Sequence, residues 1–203
     1  MIICITGTSS GIGNAVETVA KNNQYTIIAL TRSKLDLSNI ESVINYDLPY
    51  CDVLINCAGH DYGGKCDFNS HDVEKWVNIM NVNLVSTMIL TQKVLRKNSC
   101  ATICNITSTN CDKYYPNDLV YTLTKNSLSN FTDLLQIEYP DGNFKEFRLG
   151  LTKTNFNRNR NKFSKNKIDD DVFYNQPHLK PDVVAKDIVS FLFEDSNFKR
   201  VAP

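Results

Sequence analysis

The stretch MIICITGTSSGIGNAVETVAK, residues 1–21, carries the clearest structural pattern of the chain. Its first six residues are an apolar, largely β-branched run, the pattern of a strand buried on both faces of a parallel sheet. Gly7 stops the run, and Thr6-Gly7-Thr8-Ser9-Ser10-Gly11-Ile12-Gly13 leads into a helical pattern from Asn14 to Lys21. Glycines in such a turn let the backbone approach a pyrophosphate, which then rests on the unpaired N–H groups at the positive end of the helix. A plain connecting turn would also use glycines, but the strand, turn and helix in sequence favour phosphate binding.

Working outward, four more segments read as buried strands: Tyr25 to Thr31, Asp52 to Asn56, Ala101 to Thr107 and Phe144 to Leu149. Between them lie helical patterns. One starts at Ser70, with Asp72 and Glu74 in its first turn, and continues through Leu95; another covers Tyr121 to Glu138. A last helix is signalled by Pro181 and by Val184, Ile188 and Phe191 on one face. Alternating strands and helices predict an α/β doubly wound parallel sheet, the Rossmann fold, as a single compact domain over residues 1–203. Its ligand crevice is expected at the carboxyl ends of the strands, after Thr6, Thr31, Asn56 and Thr107.

Two regions depart from this plan. Between Arg32 and Asp36 there is almost no room for a crossover helix, so the second and third strands are expected to be joined by a bare turn of Ser33 and Lys34, with one helix of the layer missing. Asn155 to Lys167 (NFNRNRNKFSKNK) is basic, Asn-rich and without periodicity, and reads as a mobile loop.

Composition narrows the function. Lys and Arg number 22 and Asp and Glu 22, so no overall field points to nucleic acid or an anionic membrane, and a small ligand fits better. The seven cysteines include no Cys-x-x-Cys pair and read as reduced thiols, with no metal site. Met1 runs straight into the first strand, and no later apolar run approaches the roughly 18 residues of a membrane span, so a soluble, cytoplasmic protein is expected.

The ends of the predicted strands carry the chemistry. Past the second strand comes Leu30-Thr31-Arg32-Ser33-Lys34, where NAD enzymes usually carry an acid for the ribose 2′-hydroxyl. A basic group there accommodates a 2′-phosphate, so Arg32 favours NADP(H) over NAD(H). Tyr121 and Lys125 lie one helical turn apart on one face. A phenol with an ordinary pKa of about 10 is a poor proton shuttle, and a neighbouring cation moves it toward the working range. Alone, such a pair is common by chance.

Its company is informative. With the glycine turn, Asn56-Cys57-Ala58-Gly59 after the fourth strand, Asn83 in a helix and Ser108 ahead of Tyr121, the chain resembles the short-chain dehydrogenase/reductase family from residue 1 to about Thr154 and weakly over the last helix. By that resemblance Thr6, Gly7, Ser9, Ser10, Gly11, Ile12 and Gly13 form the nucleotide turn, Asp36-Leu37 meets the adenine, and Asn56, Ala58 and Gly59 belong to the family's Asn-Asn-Ala-Gly segment. Cys57 replaces the second Asn of that segment, and Ser86 stands where the family usually has Gly. Asn83, Ser108, Tyr121 and Lys125 match the catalytic residues, with Asn81 and Thr107 as rivals to the first two. Tyr121 would donate a proton to the substrate oxygen, Ser108 would hydrogen-bond it, Lys125 would hold the nicotinamide ribose, and Asn83 would keep a water linking Lys125 to solvent. Thr154, in Leu149-Gly150-Leu151-Thr152-Lys153-Thr154, would contact the nicotinamide amide, with Leu149 in place of the family's Pro.

The expected activity is NADP(H)-dependent reduction of a small ketone or aldehyde, or oxidation of the alcohol. A non-catalytic NAD(P) sensor on the same fold is the alternative. A sugar-nucleotide epimerase or dehydratase is disfavoured by the glycine spacing and by the short chain beyond Gly150. His60, Asp61, Tyr62, Tyr115 and Phe156 are candidate pocket walls by position. Relatives commonly pair through the helices holding Asn83 and Tyr121. Leu128, Phe131, Leu134 and Leu135 add apolar surface there, so a homodimer or homotetramer is expected.

Overall fold

The computed structural model describes residues 1–62, 64–164 and 175–203. Six parallel strands, β1 (Ile2–Thr6), β2 (Thr26–Leu30), β3 (Val53–Asn56), β4 (Thr102–Ser108), β5 (Asn143–Leu149) and β6 (Phe198–Val201), form one sheet in the order β2-β1-β3-β4-β5-β6. Around them run α1 (Gly11–Asn22), α2 (Ile40–Asn45), α3 (Val73–Met80), α4 (Ser86–Lys97), α5 (Leu119–Glu138), α6 (Phe156–Phe163) and α7 (Pro181–Phe191). The doubly wound α/β prediction holds.

Alternation along the strands splits the core into two layers. Ile3, Ile5, Val53, Ile55, Ile106 and Phe147 pack toward α1 and α7, against Val16, Ala20, Val184, Ile188 and Phe191. Cys4, Leu54, Ile103 and Phe144 face the other way, against Val43 of α2, Leu90 and Val94 of α4 and Leu135 of α5. The seven cysteines are free thiols. Among the described residues no helix is long and apolar enough to cross a membrane, and no three His, Cys, Asp or Glu side chains cluster as metal ligands.

Two expectations are corrected. The crossover from β2 to β3 is not a bare turn: Thr31–Lys34 closes a short turn, and α2 follows, capped by Asn39 Oδ1, which accepts from Ser42 N at 3.0 Å. The strand ending at Asn56 is therefore the third. A six-residue helix is too short to show a period; it forms because Leu35, Leu37, Val43 and Leu48 all bury in one layer. Second, residues 156–163 are the helix α6 rather than a loop, while 165–167 lie outside the described residues. The strand β6 is an addition that the sequence pattern does not signal: its burial alternates only between partial and exposed, and pairing with β5 defines it.

The helix expected from Ser70 through Leu95 is continuous from Val73 to Lys97 but contains one π-helical turn, Asn81–Val85. A single extra residue in the ladder rotates the side chains after it, a device common at functional sites. Here it carries Asn83 into the sheet's carboxyl edge and leaves Asn81 outside, bonded to the Ser38 carbonyl.

Candidate active site

One cavity of about 570 Å³ runs along the carboxyl ends of the strands. Its floor at β1 is closely fitted. Thr6 Oγ1 accepts from the backbone N–H groups of Cys57 (3.0 Å) and Ala58 (2.9 Å), tying β1 to β3 below the cavity. Gly7 has φ +76°, and a Cβ on it would stand 2.8 Å from Ala58 Cα; a Cβ on Gly13 would stand 2.4 Å from the Gly7 carbonyl oxygen. The turn is thus folded so tightly on itself that only glycine fits either place, and it leaves the first N–H groups of α1 facing a space that side chains would otherwise fill. This cradle suits a pyrophosphate.

Of the residues expected to hold a cofactor, Gly7, Ser9, Ser10, Gly11, Ile12, Gly13, Arg32, Asp36, Leu37, Ala58, Gly59, Tyr121 and Thr154 line the cavity. Thr154 sits across from Gly11, its methyl 3.6 Å from where a Cβ there would be. Arg32 Nε lies 3.6 Å from Asp36 Oδ2. Thr6, Asn56 and Lys125 are not part of the wall. Asn56 turns into the sheet, donating to Asn105 Oδ1 at 2.8 Å, and Asn105 donates to Thr132 Oγ1 at 2.9 Å. Asn56 therefore fixes β3 to β4 and α5 instead of touching a ligand.

The four candidate catalytic residues converge. Ser108 ends β4 and lines the cavity with Tyr121; the rival Thr107 also lines it, but its hydroxyl is given to Glu146 Oε1 at 2.6 Å. Lys125, one turn along α5 from Tyr121, donates to the Ile106 carbonyl at 2.8 Å, and its Nζ lies 5.9 Å from the Tyr121 ring centre. Asn83 is buried. Its Oδ1 accepts from His60 N at 2.9 Å, and its Nδ2 donates to the His60 carbonyl at 3.0 Å and to Thr124 Oγ1 at 3.2 Å. A Cβ on Gly59 would be 3.4 Å from both Asn83 Oδ1 and Lys125 Nζ, so the Asn-Cys-Ala-Gly loop passes directly over this pair.

The electrostatics differ from the sequence reading. Burial pushes the Tyr121 phenol up rather than into the neutral range, with the Ser108 hydroxyl pulling the other way. Burial likewise holds the Lys125 ammonium below its usual value. Desolvation of the phenol dominates, and the Lys125 ammonium stands 5.9 Å from the ring centre.

His60, Tyr62, Tyr115 and Phe156 line the cavity as expected from position, and Asp61 does not. His60 stacks on Tyr62 with ring centres 4.3 Å apart, and burial lowers its pKa to about 4. A group that is neutral in the fold but takes a proton near pH 6.5 when unfolded destabilises the fold as pH falls through that window. His60 alone is expected to remove roughly 2–3 kcal/mol between pH 7 and pH 4.5. Urea unfolding at both pH values, for the natural chain and His60→Asn, measures this; an equal pH loss in both proteins rules His60 out as the source.

Arg160 joins the site without any signal in the local sequence. Its Nε lies 2.5 Å from Asp61 Oδ2, its Nη2 contacts Asp118 Oδ1, and its Cζ stands 5.7 Å from the Tyr121 ring centre. Phe156 adds an aromatic contact to Tyr121 at 5.5 Å. These contacts dock α6 over the site, and no local pattern announces partners that lie 42 and 99 residues earlier in the chain.

A phosphate cradle at β1, a long crevice at the strand ends and a buried phenol–ammonium pair together define a dinucleotide-binding α/β oxidoreductase. Comparisons with known proteins agree. The family described as short chain dehydrogenase matches residues 36–165. An NADP-dependent 3-hydroxy acid dehydrogenase of Schizosaccharomyces pombe is 31% identical over 233 aligned positions, covering 96% of this chain and 88% of that protein. The closed form of a serine dehydrogenase complexed with NADP+ superposes with a TM-score of 0.86 at 22% identity, covering 99% of this chain and 94% of the other. A small-chain dehydrogenase in complex with NADPH superposes at 0.84 and 17% identity, covering 100% and 96%. The chain belongs to the short-chain dehydrogenase family and is an NAD(P)-dependent oxidoreductase.

Proposed function

We propose that the protein transfers hydride between NADP(H) and a small ketone or aldehyde, or the corresponding alcohol, with Tyr121 as general acid and base. The observation that carries this reading is the convergence of Ser108, Tyr121, Lys125 and Asn83 at one end of a cavity whose other end is the glycine cradle. The bound nicotinamide supplies or accepts the hydride. In reduction the carbonyl oxygen gains negative charge as its carbon gains hydride, and the Tyr121 hydroxyl gives it a proton while Ser108 donates a hydrogen bond. Lys125 stabilises the phenolate left behind, and Asn83 holds the His60 backbone and the loop above Lys125 in place. Phe156 and the docked α6 keep water from the reacting oxygen. Consumption of NADPH with a panel of carbonyl compounds tests the reading; binding of NADPH with no turnover on any carbonyl or alcohol counts against it.

Arg32 supports the choice of NADP(H), because it lines the cavity at the end of β2 with a mostly exposed guanidinium able to meet a 2′-phosphate. Arg32→Glu is expected to lower kcat/KM for NADPH about 10- to 100-fold, the range of a lost charge-assisted contact, with a far smaller effect for NADH. Equal losses for the two cofactors would overturn the assignment.

We also propose a homodimer through the helices around Asn83 and Tyr121. Leu128 and Leu135 are core residues and Phe131 packs against the core, but Leu123, Leu134 and Ile137 on α5 and Val73 and Val77 on α3 are exposed, and α3 packs beside α5. Light scattering is expected to give twice the chain mass, and Leu134→Asp to give one.

A further inference from the structure

The catalytic end of the cavity has an uneven charge lining. Arg160 and Lys65 both form part of its wall, whereas among the described lining residues the only carboxylate is Asp36, at the other end beside Arg32. The counterions of Arg160 and Lys65 reach them from behind. Asp61 and Asp118, 3% and 4% exposed, do not line the cavity but a small separate pocket that Tyr121 also lines. They hold Arg160 through Nε and Nη2, and Asp118 Oδ2 stands 3.9 Å from Lys65 Nζ. A guanidinium clamped on its outer side keeps a fixed orientation, and the rotamer entropy that an arginine would otherwise lose on meeting a ligand is already spent. The clamp draws on three separate elements: the loop after β3 through Asp61, the residue before α5 through Asp118, and α6 through Arg160. Lys65 N donates to Ser164 Oγ at 3.0 Å, so the same loop also grips the end of α6.

The clamped guanidinium is placed beside the reacting group, with its Cζ 5.7 Å from the Tyr121 ring centre. Arg160 and Lys65 are cations of the same wall that Tyr121 and Ser108 line. We propose that Arg160, assisted by Lys65, selects substrates bearing a carboxylate close to the reacting carbon, so that the natural substrate is a short hydroxy acid or the matching oxo acid. Asp61 and Asp118 are the positioning residues of this receptor. The inference rests on the hydride-transfer reading above and specifies its substrate class.

The test compares 3-hydroxybutyrate with its uncharged methyl ester, measuring kcat/KM with NADP+ for the natural chain and for Arg160→Gln, Arg160→Lys and Lys65→Met. The natural chain is expected to prefer the acid by about 100-fold or more, and Arg160→Gln to cut that preference at least about tenfold, mostly through KM. Arg160→Lys should restore part of it, because the charge returns without the two-pronged geometry. Lys65→Met should cause a smaller loss. Melting temperature and NADPH affinity of each variant report whether the fold survives. In parallel, binding of succinate against succinamide to the NADPH-loaded protein is followed by NADPH fluorescence. Turnover of acid and ester with equal efficiency, or an unchanged ratio in a folded Arg160→Gln, overturns this proposal alone. Arg160-dependent succinate binding with no turnover of any alcohol supports it and overturns the hydride-transfer reading instead.

Discussion

Tyr121→Phe is expected to lower kcat by about 10²- to 10⁴-fold, the range of a lost general acid or base, while leaving NADPH affinity within about twofold. The substitution removes one oxygen. The ring keeps its contact with Phe156 at 5.5 Å and its place between Lys125 and Arg160, so the surrounding geometry persists. Steady-state turnover on the best substrate and fluorescence titration with NADPH check both halves. A variant retaining more than about a tenth of kcat would show that the proton comes from elsewhere. The buried phenol makes this a stringent test, since in the unliganded site burial disfavours the phenolate and the hydroxyl is held fully protonated, ready to donate.

Gly13→Ala carries the largest expected effect on the cofactor. Its new methyl would meet the Gly7 carbonyl oxygen at 2.4 Å, and that oxygen belongs to the backbone of the turn itself, not to a side chain that could swing aside. The turn must open. Overpacking of this kind costs about 1–3 kcal/mol, which for a chain of this size lowers the melting temperature by roughly 3–10 °C. Opening the turn also spreads the N–H groups at the start of α1, so NADPH affinity should fall by more than about tenfold. Calorimetry and NADPH titration measure the two effects. Unchanged affinity in a destabilised Gly13→Ala would mean that this turn is structural and the phosphates bind elsewhere.

How much of the site the sequence discloses depends on the range of the interactions involved. The cradle is legible because strand, glycines and helix are contiguous, and the Tyr121–Lys125 pair because helical geometry alone puts them on one face. Asn83 could be ranked against Asn81 only by resemblance. What separates them is the π turn at Asn81–Val85, which no local pattern in that segment announces. Asn56 was legible as a member of the site but not as to its role, because the face on which its side chain lies depends on the register of β3 against β4. The basic segment after Thr154 misled for a related reason. Its charges look solvated in isolation, and only the two buried carboxylates brought from distant positions turn Arg160 into a fastening for α6.

The strand and helix alternation, the glycine turn after β1 and the one-turn spacing of Tyr121 and Lys125 are legible in the sequence, since hydrophobic period, glycine placement and helical spacing act within a few residues. The short helix α2, the added edge strand β6, the inward turn of Asn83 and the placement of Arg160 beside Tyr121 come from long-range packing. Each of these exists because burial of apolar surface and pairing of buried charge are satisfied between segments far apart in the chain, and those energies are set by the packed fold as a whole.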